Sequence, residues 1–178
     1  MKGFPKEKHM KIRRIRENDT ENFFQMMCRL DEETEYMMYE PGERQRTTKN
    51  LSRLKAFVHA AACGYDFLFV AENDNGEIAG YIWAERGKLT RNRHTAYISA
   101  GIRQAYQRQG IGTEFFLRAE NWAKESGIVR LELTVECEND GAKTLYERMG
   151  FKIEGIRPKS MKVNGRFVDE YYMGKILK

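Results

Sequence analysis

The run Gln107-Arg108-Gln109-Gly110-Ile111-Gly112 constrains this chain more than any other stretch. Before it lies Tyr97-Ile98-Ser99-Ala100-Gly101-Ile102, apolar, β-branched in part and short enough for a strand. After it, Ile111, Phe115, Phe116, Ala119, Trp122 and Ala123 recur at spacings that put them on one face of a helix. The glycine run therefore joins a strand to a helix. Such a junction leaves the first helical N–H groups without intrahelical acceptors, and the macrodipole adds partial positive charge at the same place. Gly110 and Gly112 let a ligand oxygen come close to the backbone, and Arg108 adds a full charge, so the amides of Arg108, Gln109, Gly110, Ile111, Gly112 and Thr113 form a candidate phosphate site. Taken alone, the same glycines would serve equally for a tight turn.

Two common phosphate loops do not fit. The dinucleotide fingerprint needs a third glycine where this chain has Phe115, and the P-loop needs Gly-Lys-Ser/Thr, which occurs nowhere. What fits is Gln-x-x-Gly-x-Gly at Gln107 to Gly112, with Ile102 five residues earlier. A second motif, Asn139-x-x-Ala142-x-x-Leu145-Tyr146-x-x-x-Gly150-Phe151, follows the apolar strand Arg130 to Val135. Together they resemble the acetyl-CoA-binding core of the GNAT superfamily of N-acetyltransferases, over residues 67–151. The resemblance implies an α/β fold with a mixed, mostly antiparallel central sheet flanked by about four helices. It also implies acetyl-CoA as co-substrate, no metal, and transfer of an acetyl group to a primary amine by direct attack in a ternary complex.

That chemistry has three tasks. An alkylammonium with a pKa of about 10.4 must lose a proton before it attacks. The thioester carbonyl then gathers negative charge, and the departing thiolate needs a proton. By the resemblance, the strand ahead of the glycine turn splays from its neighbour. The backbone of Ala100, Gly101 and Ile102 then meets pantetheine and the acyl carbonyl, with Gly101 consistent with a bulge and the Ile102 N–H polarising the carbonyl. The turn takes the pyrophosphate, Asn139 hydrogen-bonds pantetheine, and Tyr146 protonates the sulfur. By residue type Asn139 also reads as a helix N-cap, and Tyr146 as a core aromatic on the Ala142-Leu145-Met149 stripe. The two lie seven residues apart, about two helical turns.

The base is not assigned. Positions where family members carry glutamate hold Ala96 and Thr134 here, and Glu132 and Glu136 flank Thr134 on one strand face. Glu33, Glu35, Asp169 and water are further candidates. The missing glutamates keep a second reading open, a non-catalytic acyl-CoA-binding or sensing module.

The remaining elements follow from local pattern. Lys11 to Ile15 is a strand, and Asn18-Asp19-Thr20 caps a helix carrying Phe23, Phe24, Met27 and Leu30. The segment Asp31 to Glu43 reads as an exposed acidic loop or frayed helix end. In the GNAT fold this connection overhangs the acceptor, so the resemblance makes Glu33 and Glu35 candidates for holding a cationic amine. Thr47 or Thr48 is expected to cap a helix carrying Leu51, Leu54, Phe57, Val58 and Ala61, with His59 on its surface side. Phe67 to Ala71 and Ile78 to Ala84 form a hairpin about Asn73-Asp74-Asn75-Gly76, and Asn164-Gly165 turns a second hairpin ending in Tyr171 to Leu177.

At 178 residues the chain needs no second domain; residues 1–9 read as a tail and 10–178 as one domain. Cys28, Cys63 and Cys137 are odd in number and lack metal-ligand spacing, which points to a reducing cytoplasm. No stretch reads as a signal peptide or approaches the roughly 20 apolar residues of a membrane span. The net charge of +5 is scattered, the pattern of a solvated surface and not of a nucleic-acid stripe. The expected partner is a small-molecule, peptide or protein amine, and a homodimer is compatible with the sequence.

Overall fold

Strand and helix periods divide the chain in the computed structural model, which describes residues 10–178. The expected tail at residues 1–9 lies outside the described residues. In order run β1 (Lys11–Arg14), α1 (Thr20–Glu33), α2 (Glu43–Thr47), α3 (Ser52–Ala62), β2 (Phe67–Glu72), β3 (Ile78–Arg86) and β4 (Thr95–Ile102). Then come α4 (Ile111–Glu125), β5 (Arg130–Glu136), α5 (Asp140–Arg148), β6 (Lys152–Val163) and β7 (Arg166–Ile176). The strands form one seven-stranded sheet in the order β1-β2-β3-β4-β5-β7-β6. Every pairing is antiparallel except β4 with β5. The mixed, mostly antiparallel sheet is as expected; α2 is a fifth helix that five residues could not announce by periodicity.

Alternation along the strands builds two cores. On one face Ile82, Ala84, Ala96, Ile98, Leu131, Leu133 and Val135 pack with Phe115, Phe116, Ala119 and Ala123 of α4. On the other, Leu68, Val70 and Tyr81 meet Phe23, Met27 and Leu30 of α1 and Val58 and Ala61 of α3. The sheet is thus covered by α1 and α3 on one side and by α4 on the other.

Two expectations need correction, one about a cap and one about exposure. Neither Thr47 nor Thr48 caps α3. Thr47 closes α2, its hydroxyl donating back to the Glu43 carbonyl at 2.8 Å, while Asn50 Oδ1 accepts from Ser52 N at 3.0 Å at the start of α3. The segment 31–43 is also not uniformly exposed. Asp31 is buried and takes both Nε and Nη2 of Arg44, at 2.6 and 2.9 Å. The Arg44 guanidinium in turn lies 4.2 Å over the Tyr39 ring, so the connection between α1 and α2 is pinned from both sides.

At the other end of the chain, Asn164 (φ 48°) and Gly165 (φ 80°) adopt the left-handed pair that a two-residue hairpin requires. The resulting β6–β7 hairpin places its turn beside the α1–α2 connection, where Asn164 Nδ2 donates to Glu35 at 2.8 Å.

Candidate active site

The two central strands stop pairing partway along. β4 and β5 pair only at Thr95–Arg130, Ala96–Leu131 and Tyr97–Glu132. Beyond Tyr97, β4 continues on β3 to Ile102, and β5 continues on β7 to Glu136. A gap therefore opens between them. Arg103 N donates to Ala79 O at 2.9 Å. Antiparallel strands alternate their hydrogen-bonding sides, so the N–H groups of Ile102 and Ala100 point away from β3, into this gap. Gly101 stands in regular register opposite Tyr81, which corrects the expectation of a bulge. Its need for glycine is steric: a Cβ there would lie 2.8 Å from Leu30 Cδ1 and 3.2 Å from Tyr81 Cε1.

Past β4 a short 3-10 turn (Gln104–Tyr106) leads into the glycine run. Arg108 (φ 59°) and Gly110 (φ 83°) are both left-handed. Left-handed residues close together turn their amides toward one concavity. Gly110 occupies the N-cap of α4 and no side chain caps that helix, so its first amides are left for an anion. Gln107 Nε2 donates to Ile102 O at 2.9 Å and Gln109 Nε2 to Ala105 O at 3.2 Å, so both side chains brace the turn. Nothing stands within 4 Å of where a Gly110 Cβ would be, whereas a Gly112 Cβ would lie 2.8 Å from Leu145 Cδ2. Gly110 faces open space, then, and Gly112 lets α4 pack on α5. Open amides, an exposed Arg108 and an uncapped helix end fit a diphosphate.

Helix α5 lies beside the end of β4: a Gly112 Cβ would meet both Leu145 Cδ2, at 2.8 Å, and Ile102 Cδ1, at 3.7 Å. Asn139 is its N-cap, Oδ1 accepting from Ala142 N at 3.1 Å. The Tyr146 ring packs on Phe116 and Phe151, with centroids 5.3 and 6.2 Å away. Desolvation first, and then the neighbouring Tyr81 and Tyr97, push its pKa up to about 12. The phenol is therefore protonated at neutral pH. Tyr97, which sequence reasoning passed over, shares a 2.8 Å hydrogen bond with Thr134 Oγ1, bridging β4 to β5 just where they part.

The carboxylates divide into committed and open ones. Glu132 is paired with Arg130 at 2.8 Å, and Asp169 accepts from Lys159 N at 2.8 Å. Glu33 takes Arg103 at 2.8 Å and Gln104 N at 2.8 Å, so it clamps the end of α1 to the residues following β4 and is not free for a ligand. Glu35 is exposed and reaches the hairpin through Asn164. Tyr36 hydroxyl donates to Glu138 O at 3.4 Å, which carries the α1–α2 connection across to the end of β5. Met37 Sδ lies 3.5 Å from where a Gly101 Cβ would be. His59 is a surface residue beside Glu17. Glu136 is only 6% exposed, and its Oε1 has no hydrogen-bond partner among the described residues. Burial first, then Glu35, Glu170 and Glu138, push its carboxyl pKa upward. Among the described residues no helix is long and apolar enough to cross a membrane.

Comparison with known proteins gives this geometry its context. The sequence pattern described as the Acetyltransferase (GNAT) family matches residues 24–151. Over 106 residues the chain is 28% identical to the L-amino acid N-acetyltransferase AaaT of Escherichia coli, covering 57% of this chain and 64% of that protein. Over 105 residues it is 31% identical to the N-alpha-acetyltransferase RimI of Mycobacterium tuberculosis, covering 59% and 63% respectively. The chain thus spans a little under two thirds of the length of these relatives. The crystal structure of a GNAT-family acetyltransferase from Streptococcus pneumoniae superimposes with a TM-score of 0.87 at 28% identity, covering 95% of this chain and all of that one. In fold the chain is also similar to yncA from Salmonella typhimurium, solved with its cofactor acetyl-CoA, at a TM-score of 0.80 and 20% identity over 95% of this chain and 94% of that one. The chain belongs to the acetyltransferase (GNAT) family.

Proposed function

We propose that this protein is an acetyl-CoA-dependent N-acetyltransferase of the cytoplasm that moves an acetyl group onto a primary amine by direct attack in a ternary complex. The observation that carries this reading is the gap between β4 and β5, into which the amides of Ala100 and Ile102 point; the protonated phenol of Tyr146, packed on Phe116 and Phe151, supports it. Family membership and relatives named as N-acetyltransferases support it.

Bound acetyl-CoA supplies a thioester carbonyl and a thiolate leaving group. In this reading the amides of Arg108 to Thr113 hold its pyrophosphate, with Gly110 and Gly112 keeping that backbone accessible, and Asn139 hydrogen-bonds its pantetheine arm. Ile102 N–H stabilises charge developing on the carbonyl oxygen. Tyr146 keeps its proton until the sulfur needs one. The acceptor enters beneath the α1–α2 connection, where Glu35 draws an ammonium in and Glu33 holds the wall in place. Its deprotonation proceeds through water, since Thr134 stands where family members carry a glutamate and its hydroxyl is already bound to Tyr97.

The test is an amine library screened for acetyl-CoA-dependent release of CoA, followed by two-substrate kinetics on the best acceptor. Direct transfer gives intersecting double-reciprocal lines; parallel lines would point to an acetylated enzyme and overturn the ternary-complex mechanism. The same substitution of Thr134 for glutamate favours one other reading, an acyl-CoA sensor, which tight acetyl-CoA binding without turnover on any amine would establish.

A further inference from the structure

Val135 packs on the α4 side of the sheet, so its neighbour Glu136 points to the opposite face. Gly101 shares that face, since a Cβ on it would meet Leu30 of α1 and Met37 of the α1–α2 connection. β4 and β5 leave their pairing at Tyr97–Glu132, and four residues farther along each parallel strand bring Gly101 level with Glu136. The carboxylate therefore stands across the gap from the strand end that carries the Ile102 N–H. Met37 beside Gly101, and Tyr36 donating to Glu138 O, carry the α1–α2 connection over both.

This carboxylate is kept without a donor. Glu136 is 6% exposed, and its Oε1 has no hydrogen-bond partner among the described residues. Glu170 faces it from β7, and the bond from Cys137 N to Asp169 O at 2.9 Å makes the adjoining Glu136–Glu170 pair the closer, non-hydrogen-bonded kind. Arg157 of β6 answers Glu170 at 3.1 Å. From β4 comes the Tyr97 phenol, bound to Thr134, and from β7 also Tyr172, opposite Thr134. Burial first, then Glu35 of the α1–α2 connection, Glu170 and Glu138 push the Glu136 pKa up, which makes it a stronger base than a solvated carboxylate. The Tyr36 phenol is pushed up by burial, Glu35 and Glu136, and stays neutral. Other candidate carboxylates are engaged: Glu33 with Arg103, Glu132 with Arg130, Asp169 with Lys159 N. A buried acceptor without a donor asks for a missing partner.

We propose that Glu136 is the general base of the transfer, taking the amine's proton through one bridging water. The inference rests on the acetyltransferase reading above and names where the proton carried by that water goes. At this level the strands have parted beyond their usual spacing of ~4.8 Å, so a nitrogen seated at the thioester by Ile102 meets Glu136 through a water and not directly. The ammonium gives one proton through the water to Glu136, and the freed lone pair forms the C–N bond. The C–S bond breaks with its electron pair going to sulfur, which takes the Tyr146 proton. The second proton on nitrogen leaves as the amide forms and restores Tyr146 through solvent. Glu136 then releases its own proton by way of the opening that it lines with Glu138, Phe167 and Val168.

The experiment follows kcat/KM against pH for wild type and Glu136→Gln on the best alkylamine of the screen, with acetyl-CoA affinity measured alongside. At pH 7 the variant is expected to lose about 10²–10⁴ in kcat and to keep its acetyl-CoA affinity. Without the base only amine already neutral in solution reacts. The variant's rate should therefore climb about tenfold per pH unit toward the ammonium pKa of about 10.4, while wild type levels off above the Glu136 pKa, and the two should converge. Glu136→Asp, which keeps the carboxylate on a shorter arm, should recover part of the loss and the level profile. Curves for wild type and Glu136→Gln that run parallel at every pH would mean a structural effect, and an unchanged kcat at pH 7 would mean that solvent takes the proton. Either result overturns the assignment and leaves the acetyltransferase reading standing. If the wild type acetylates no amine, that reading itself fails and the base falls with it.

Discussion

The side-chain amide of Gln107 donates to the carbonyl oxygen of Ile102 at 2.9 Å, tying the glycine turn back to the last residue of β4. By the alternation that aims the Ile102 N–H into the gap, its carbonyl also faces away from β3 and has no strand partner on that side. Gln107 satisfies it and fixes where the turn begins. Gln107→Ala should therefore weaken acetyl-CoA binding about 3- to 10-fold, in line with ~1 kcal/mol for one hydrogen bond, with little change in Tm. Titration calorimetry measures this; an unchanged affinity would mean that the turn holds its shape unaided.

The glycines act differently from one another. Gly110→Val forces a β-branched residue to φ 83°, disfavoured backbone for any side chain, and should reduce acetyl-CoA affinity at least about tenfold. Gly112→Val drives a Cβ toward Leu145, which adjoins Tyr146, so the loss should be accompanied by lower turnover. Both variants binding acetyl-CoA as wild type does would remove the anion site from the account.

Much of this was legible because its chemistry is local. Gly110 before an amphipathic helix, Asn139 capping α5 and Asn164-Gly165 in a hairpin each follow from residues within a few positions of one another. The missed features are non-local. Asp31 and Arg44 are 13 residues apart, Tyr97 and Thr134 37, and Glu33 and Arg103 70. No period in the sequence announces such pairs. Asp31 and Glu33 read as members of a solvated acidic run because the arginines that claim them arrive only with the fold. Gly101 was misread for a related reason, since a glycine needed by packing looks the same in sequence as one needed by a bulge.

Glu33 and Glu35 should separate experimentally. Glu35→Gln is expected to raise the acceptor KM by a few-fold, with a smaller effect at high salt, and to leave acetyl-CoA affinity alone. Glu33→Gln removes the partner of Arg103 and Gln104, and should instead cost about 1–3 kcal/mol of stability. Chemical denaturation alongside kinetics distinguishes the two; identical behaviour of the two variants would contradict the division.

Glu136 gives a pH test of the unanswered carboxylate. Burial, then Glu35, Glu170 and Glu138, raise its pKa above the unfolded value. The folded state then binds the proton more tightly, so stability falls as pH rises from about 4.3 through the raised folded value, and the penalty is complete only above that value. Glu136→Gln should raise Tm more at pH 7 than at pH 4, where the carboxyl is already largely protonated in both states. A variant less stable at pH 7 would mean that the carboxylate has a partner.

The central claim is that Tyr146 supplies the proton to the departing thiolate. Its phenol, with a pKa pushed up to about 12 by desolvation, carries that proton at neutral pH. Tyr146→Phe keeps the ring against Phe116 and Phe151 and removes only the donor, so the fold and acetyl-CoA affinity should survive. Steady-state kinetics of this variant is the most direct test. A fall in kcat of about 10²–10⁴, nearer the low end because a thiol of pKa about 8.5 leaves fairly readily, with the amine KM unchanged, is the expected result. A phenylalanine variant with wild-type kcat would contradict the account and leave Tyr146 a core aromatic.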